Sequence, residues 1–199
     1  MTRRIRPFAR SLFLILGCLI CSALPSFGQP AEACPESSSF WQLQCAQDPR
    51  STTVCRAGME NLSRCVITET DVIQWKNNDG SFATTASLAA LSNANLFAAL
   101  CSQLAGPKPK VARDTAESQY LALMLNVCVG ALPLDTQVSA KGFGGTTQAA
   151  IDAFENALNT NTNVDFWSKT GARINKGAVV IASECADPDA LFSSVPPCE

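Results

Sequence analysis

Residues 115–129 read TAESQYLALMLNVCV, and the spacing inside this stretch decides the fold. Leu121, Met124, Leu125 and Cys128 recur at intervals of three and four, which gathers side chains on one face of an α-helix. Asp114 or Thr115 supplies an N-capping oxygen, Glu117 sets a negative charge in the first turn, and Gly130 ends the run. The pattern predicts a helix over 115–129 whose apolar face belongs to the core.

The same reading extends outward in both directions. Residues 85–104 place Leu88, Leu91, Phe97, Cys101 and Leu104 near one face and stop at Gly106-Pro107. Residues 146–158 carry Ala150, Ile151, Phe154 and Leu158 at helical spacing after the glycine-rich lead-in Gly142-Phe-Gly-Gly145, and residues 164–169 add a short helical turn. Towards the N-terminus, residues 37–43 and 57–65 read as short helices around the turn Asp48-Pro-Arg-Ser51. Residues 66–75 form a candidate strand ended by Asn77-Asn-Asp-Gly80, and residues 178–182 form another, before a proline-containing loop over 185–198. The fold class expected is mainly α: a compact, disulfide-stapled helical domain with a few short strands at most.

Export is written at the front of the chain. Arg3, Arg4, Arg6 and Arg10 precede an apolar segment from Leu12 to Leu24, which spans only about 20 Å as a helix against the ~30 Å of a bilayer core. A signal peptide is therefore expected rather than a transmembrane anchor, with cleavage after Gly28 in Ser26-Phe-Gly28. The alternative is Ile15-Leu-Gly-Cys18 read as a lipoprotein signal, which would leave a lipid anchor on Cys18. The chain then divides into a signal peptide (1–28), a cysteine-rich part (29–80), and a helical core with a C-terminal cysteine loop (81–199), the last two forming one domain.

Removing Cys18 and Cys21 with the signal leaves an even set: Cys34, Cys45, Cys55, Cys65, Cys101, Cys128, Cys185 and Cys198. Without a CxxC pair in this set, and without any histidine, disulfides are favoured over a zinc site. A bridge closing a loop of ten to fifteen residues would contribute about 3 kcal/mol by the chain-entropy model.

Composition excludes several functions. Loss of the four signal arginines takes the formal charge from −2 to −6, so a nucleic-acid partner is not expected. Lys108-Pro-Lys110-Val-Ala-Arg113 reads as a solvated linker between helices. The absence of histidine removes Ser-His-Asp and Cys-His nucleophile activation and the usual neutral-pH base. Carboxylates remain, with Glu60, Glu69, Asp71, Asp152 and Glu155 as the candidates; Asp152 and Glu155 share a helix face in this reading.

Three further motifs have competing readings. Gly142-Phe-Gly-Gly-Thr-Thr147 is either an anion site at a helix N-terminus or a flexible helix lead-in, and it lacks the lysine of a P-loop. Asn159-Thr-Asn-Thr-Asn-Val-Asp165 alternates oxygen ligands as a calcium loop does, but has Val164 where that loop needs glycine and Thr170 where it needs glutamate. Phe40, Trp41, Trp75, Phe166 and Trp167 suit either sugar stacking or core packing, with core packing favoured. No cofactor is expected, and no catalytic or metal residue is assigned.

Gln119-Tyr-Leu-Ala-Leu-Met-Leu-Asn-Val-Cys-Val-Gly130 resembles the "hQLiAakLNvanGa" segment of a loosely defined group of uncharacterised bacterial secreted and cell-surface proteins. Gln74-Trp-Lys-Asn77 echoes the "GYWKNHP" segment of that group, without its Gly-Tyr and His-Pro, and residues 150–159 echo a helix that follows. The resemblance implies an extracellular module and brings no catalytic residue with it. The function expected is a non-catalytic structural or interaction module for an unknown protein or glycan partner. The alternatives are a carboxylate-dependent hydrolase of cell-wall or extracellular polysaccharide, and a disulfide-rich protease inhibitor or toxin-like effector.

Overall fold

The computed structural model describes residues 35–177, apart from 49, 51, 72, 107–110 and 141. Seven helices and two β-hairpins follow one another: α1 (Ser38–Ala46), α2 (Arg56–Glu69), β1 (Gln74–Lys76), β2 (Phe82–Thr84), α3 (Thr85–Ala89), α4 (Asn93–Ala105), α5 (Ala112–Cys128), β3 (Gln137–Ala140), β4 (Phe143–Thr146), α6 (Thr147–Thr160) and α7 (Val164–Ile174). The mainly α expectation holds. The signal segment, Cys34, Cys185, Cys198 and the expected strand over 178–182 lie outside the described residues.

Helix α5 is the axis of the molecule, and it is more central than its sequence pattern suggests. Every side chain from Tyr120 to Asn126 is buried, not the one face read from the spacing. A helix buried on all sides needs neighbours on all sides: α1, α2 and α4 pack on one flank, α6 and α7 on the other. Gly171 allows α7 its close approach, since a Cβ there would lie 2.8 Å from Phe154 Cε1 and 3.2 Å from Gln119 Cβ.

Short polar side chains set the helix starts. Ser37, Thr84, Ser92 and Thr146 each accept a backbone N–H from the first turn of the helix they precede. At α5 the expected cap is displaced: the helix begins at Ala112, and Asp114 within its first turn reaches back to accept the N–H of Val111 at 3.0 Å.

Several sequence-based boundaries need correction. Residues 66–69 extend α2, leaving only 74–76 as strand, because Val66 and Ile67 lie on the buried face of that helix. The helix over 85–104 is two helices broken at 90–92, where Ser92 caps the second. Residues 164–169 open an eleven-residue helix rather than a single turn. Gly142, at φ 88°, turns the β3–β4 hairpin, so a strand does precede α6.

Among the described residues, two disulfides join separate helices. Cys45–Cys101 links α1 to α4 and Cys65–Cys128 links α2 to the end of α5, with Cα–Cα distances of 5.6 and 6.0 Å. Their partners stand 56 and 63 residues apart, far beyond the ten to fifteen of a local bridge. On the chain-entropy model each contributes about 4 kcal/mol. Cys55 immediately precedes α2 and is half-buried.

Candidate functional site

The ionisable groups with structural consequence converge where β1 lies between α5 and α6. Glu155 of α6 is only 5% exposed; its Oε1 accepts the hydroxyl of fully buried Tyr120 and the backbone N–H of Asp71 at 3.1 Å. Thr70 shares the hydroxyl of Tyr120 at 3.2 Å. Burial raises the Glu155 carboxyl, partly opposed by the bonds from Tyr120 and Asp71. Burial likewise raises the Tyr120 phenol, helped by the neighbouring Glu155 charge.

A second carboxylate holds the last residue of β1, five residues on from Asp71. Glu117, 1% exposed, accepts the N–H of Lys76 at 3.1 and 3.3 Å and the Nε–H of Arg113 at 2.9 Å. Burial pushes it up to about 7, against the opposing pull of the Lys76 amide and the Arg113 charge. Arg113 uses the rest of its fork on backbone carbonyls, Leu158 and Gln74 at 2.6 Å each, while its plane lies over the Phe82 ring at 5.2 Å. Lys76 Nζ completes the group by bonding Asp114 at 3.1 Å. Arg113 is thus corrected from a charge on a solvated linker to a half-buried tie among α5, α6 and β1.

Trp75 lies between these two anchors, fully buried, with its ring 5.7 Å from Tyr120. Its indole N–H finds no acceptor among the described residues. From Tyr120 the rings continue through Phe154 and Trp167 to Phe143, with centroids 5.1 to 5.5 Å apart. Trp41, Trp75 and Trp167 are core residues, and Phe40 and Phe166 pack half-buried against that core. The aromatic set is structural rather than a sugar platform.

Of the remaining candidates, Asp71 and Asp152 come near enough to Glu155 for their charges to raise its carboxyl further, while Glu60 and Glu69 add nothing to that group. Glu60 pairs with Arg56 on the surface of α2, Glu69 is exposed at the end of that helix, and Asp71 is exposed. Asp152 neighbours Glu155 and its charge raises the Glu155 carboxyl, but the two differ in burial: Asp152 is exposed and accepts from Gln148, while Glu155 is buried. No group of three metal-ligating side chains exists among the described residues. The Asn159–Asp165 stretch is a corner between α6 and α7, with Asn161 and Asn163 left-handed, not a twelve-residue ion-binding loop.

The anion reading of Gly142–Thr147 also fails. The first amides of α6 are taken by protein acceptors: Thr147 N–H by Thr136 O and Gln148 N–H by Leu134 O, both at 2.9 Å, and Ala149 N–H by Thr146 Oγ1 at 3.2 Å. A pocket of about 510 Å³ does open elsewhere, lined by Ala140, Phe166, Lys169, Thr170, Ala172 and Arg173. It contains no carboxylate, and Lys169 is engaged with Asp165 at 2.6 Å.

Sequence reasoning passed over Glu117 as a first-turn charge and overlooked the environment of Glu155. The available signal was position: Glu155 falls between Ile151 and Leu158 on the buried face of α6, and Glu117 shares a face with Tyr120 and Leu121. What the cluster does chemically is hold backbone, since both carboxylates spend their acceptors on amides and neighbouring side chains. Comparison with protein-family models, curated proteins and solved structures gives no match to this chain.

Proposed function

We propose that this chain is exported through a signal peptide cleaved after Gly28 and works outside the cytoplasm as a non-catalytic interaction module for a protein or glycan partner. The observation that carries this reading is how the acids are employed. The two most buried glutamates, Glu117 and Glu155, each hold the backbone amide of another element. A polysaccharide hydrolase needs an acid and a second carboxylate facing each other across a substrate cleft; Glu155, the acid that feels Asp71 and Asp152, is buried and bonded to Tyr120 and the Asp71 amide, and the pocket beside Phe166 is lined by no carboxylate. Cross-helix disulfides fit maturation in an oxidising compartment, and no helix among the described residues is long and apolar enough to cross a membrane.

The intact mass of the exported protein tests the first half: it should begin at Gln29 and be eight hydrogens lighter than the reduced chain, whereas a diacylglyceryl group on Cys18 would overturn the cleavage site. Incubation with peptidoglycan and common polysaccharides tests the second. No reducing ends should be released. Saturable release lost in Glu155→Gln or Asp152→Asn, with the thermal midpoint retained, would make the protein a hydrolase instead.

A further inference from the structure

The pocket beside α7 is made by one face of that helix and the β3–β4 hairpin. Phe166, Lys169, Thr170 and Arg173 fall at the three- and four-residue intervals that gather side chains on one side of a helix, Ala172 adjoins them, and Ala140 of β3 completes the lining. The Phe166 ring is held in place from two directions. It stands edge-on to Trp167 at 5.4 Å, and Gly142 at the hairpin turn comes so close that a Cβ there would lie 3.4 Å from Phe166 Cε2. At about 510 Å³ the pocket falls within the ~300–1,000 Å³ of small-molecule sites.

Two polar side chains of this lining are unspent. Arg173 donates to no acceptor among the described residues, whereas the other arginines of the described helices all do: Arg56 pairs with Glu60, and Arg64 and Arg113 give their forks to backbone carbonyls. Thr170 is only 4% exposed, and its hydroxyl likewise has no partner among the described residues. The two stand three residues apart on α7, so they are neighbours on the helix surface. Lys169 is already neutralised by Asp165, which leaves Arg173 to carry the positive charge of the pocket in a chain of net charge −2.

We propose that this pocket binds a small organic carboxylate with an apolar body. The guanidinium of Arg173 takes the carboxylate through two parallel N–H bonds, the hydroxyl of Thr170 donates a third, and the body lies against Phe166, Ala140 and Ala172. Each half of the lining excludes a simpler ligand. A bare inorganic anion would leave the apolar walls without contact, and a neutral apolar molecule would desolvate Arg173 without pairing it. The site goes beyond the interaction reading above, and its chemistry is met equally by a free acid and by a peptide chain ending in an apolar residue with a free carboxylate.

Calorimetric titration of the full exported chain with 3-phenylpropionate, its primary amide, inorganic phosphate and a short peptide ending in phenylalanine with a free carboxylate tests the site. The acid or the peptide should bind saturably at one site per chain, with the amide and phosphate at least about tenfold weaker. Preference for the peptide over the acid supports a chain end as the source, and the reverse preference supports a free acid. Arg173→Gln should weaken binding by about tenfold or more with the thermal midpoint retained. Lys176→Gln, which removes the same charge from an exposed position outside the lining, should bind as the parent does. Ala172→Leu fills the pocket without touching a charge and should also abolish binding, so the test survives a poorly folded Arg173 variant. Absence of saturable binding by both carboxylates, phosphate binding as tightly as they do, equal losses in Arg173→Gln and Lys176→Gln, or full affinity in Ala172→Leu would each overturn the proposal.

Discussion

On one side of α5, helices α1, α2 and α4 are tied by Cys45–Cys101 and Cys65–Cys128, while on the other α6 and α7 are held by rings and hydrogen-bonded side chains, with no bridge among the described residues. The difference follows what each helix brings to the core. Helix α1 has nine residues and one fully buried large side chain, Trp41, so its apolar contact with α4 and α5 is small. Helices α6 and α7 contribute Ile151, Phe154, Leu158, Trp167 and Ile174, all buried. Cys45–Cys101 thus sits where apolar area is scarce, whereas Cys65–Cys128 reinforces α2, which already buries Met59, Leu62, Val66 and Ile67; on the other flank aromatic packing takes the place of a bridge.

The sharpest way to break the ring-held flank is Phe154→Ala, which removes a fully buried ring lying between Tyr120 and Trp167. A loss of about 3 to 5 kcal/mol is expected in denaturant unfolding. A loss under about 1 kcal/mol would show that the aromatic chain does not hold this flank.

Replacing Cys65 and Cys128 together by serine should remove about 4 kcal/mol on the entropy model. Amide exchange should then rise first in α2 and α4, while α6 and α7 keep their protection. Uniform loss across both flanks would dissolve the distinction drawn between them.

A smaller effect, on the order of 3 kcal/mol at most, concerns the carboxylate at the seam of the two flanks. Glu117 has a folded value of about 7 against an ordinary 4.5, so the folded chain binds this proton more tightly than the unfolded chain. Its stabilising contribution is complete below about pH 4.5 and is lost as pH rises through about 7. The groups facing it are Arg113 and Asp114 from α5 and Lys76 from β1. Glu117→Gln keeps an acceptor for the Lys76 amide but cannot titrate, so its stability between pH 5 and 8 should be flatter than that of the parent. Parallel curves would refute the assignment.

How much of this was legible depends on the kind of signal. The helices at 115–129 and 146–158 were readable because apolar spacing is a local property. The hairpin at 137–146 was hidden because Ser139, Gly144 and Gly145 have little strand preference, and pairing with a neighbouring strand is what shapes them. Which cysteines pair was not legible at all, because Cys45 and Cys65 stand 56 and 63 residues from their partners and pairing follows distance in space, which helix packing decides. Arg113 was read with Lys108 and Lys110 because charge runs are grouped along the chain, whereas its carbonyl partners, Gln74 and Leu158, lie about 40 residues away on either side.

Asn126 accepts the N–H of Glu36 at 2.7 Å and donates to Asn175 Oδ1 at 3.2 Å, and the clamp so formed has a mechanical meaning. A pull applied between residues 35 and 177 loads that joint first, because the points of attachment already touch, and the helices beyond it feel no tension until it parts. Held by these two ends, the body behaves as a bead on a short loop, with its exposed β1–β2 turn carried as free surface while the amides of Asn126 and Asn175 take the strain.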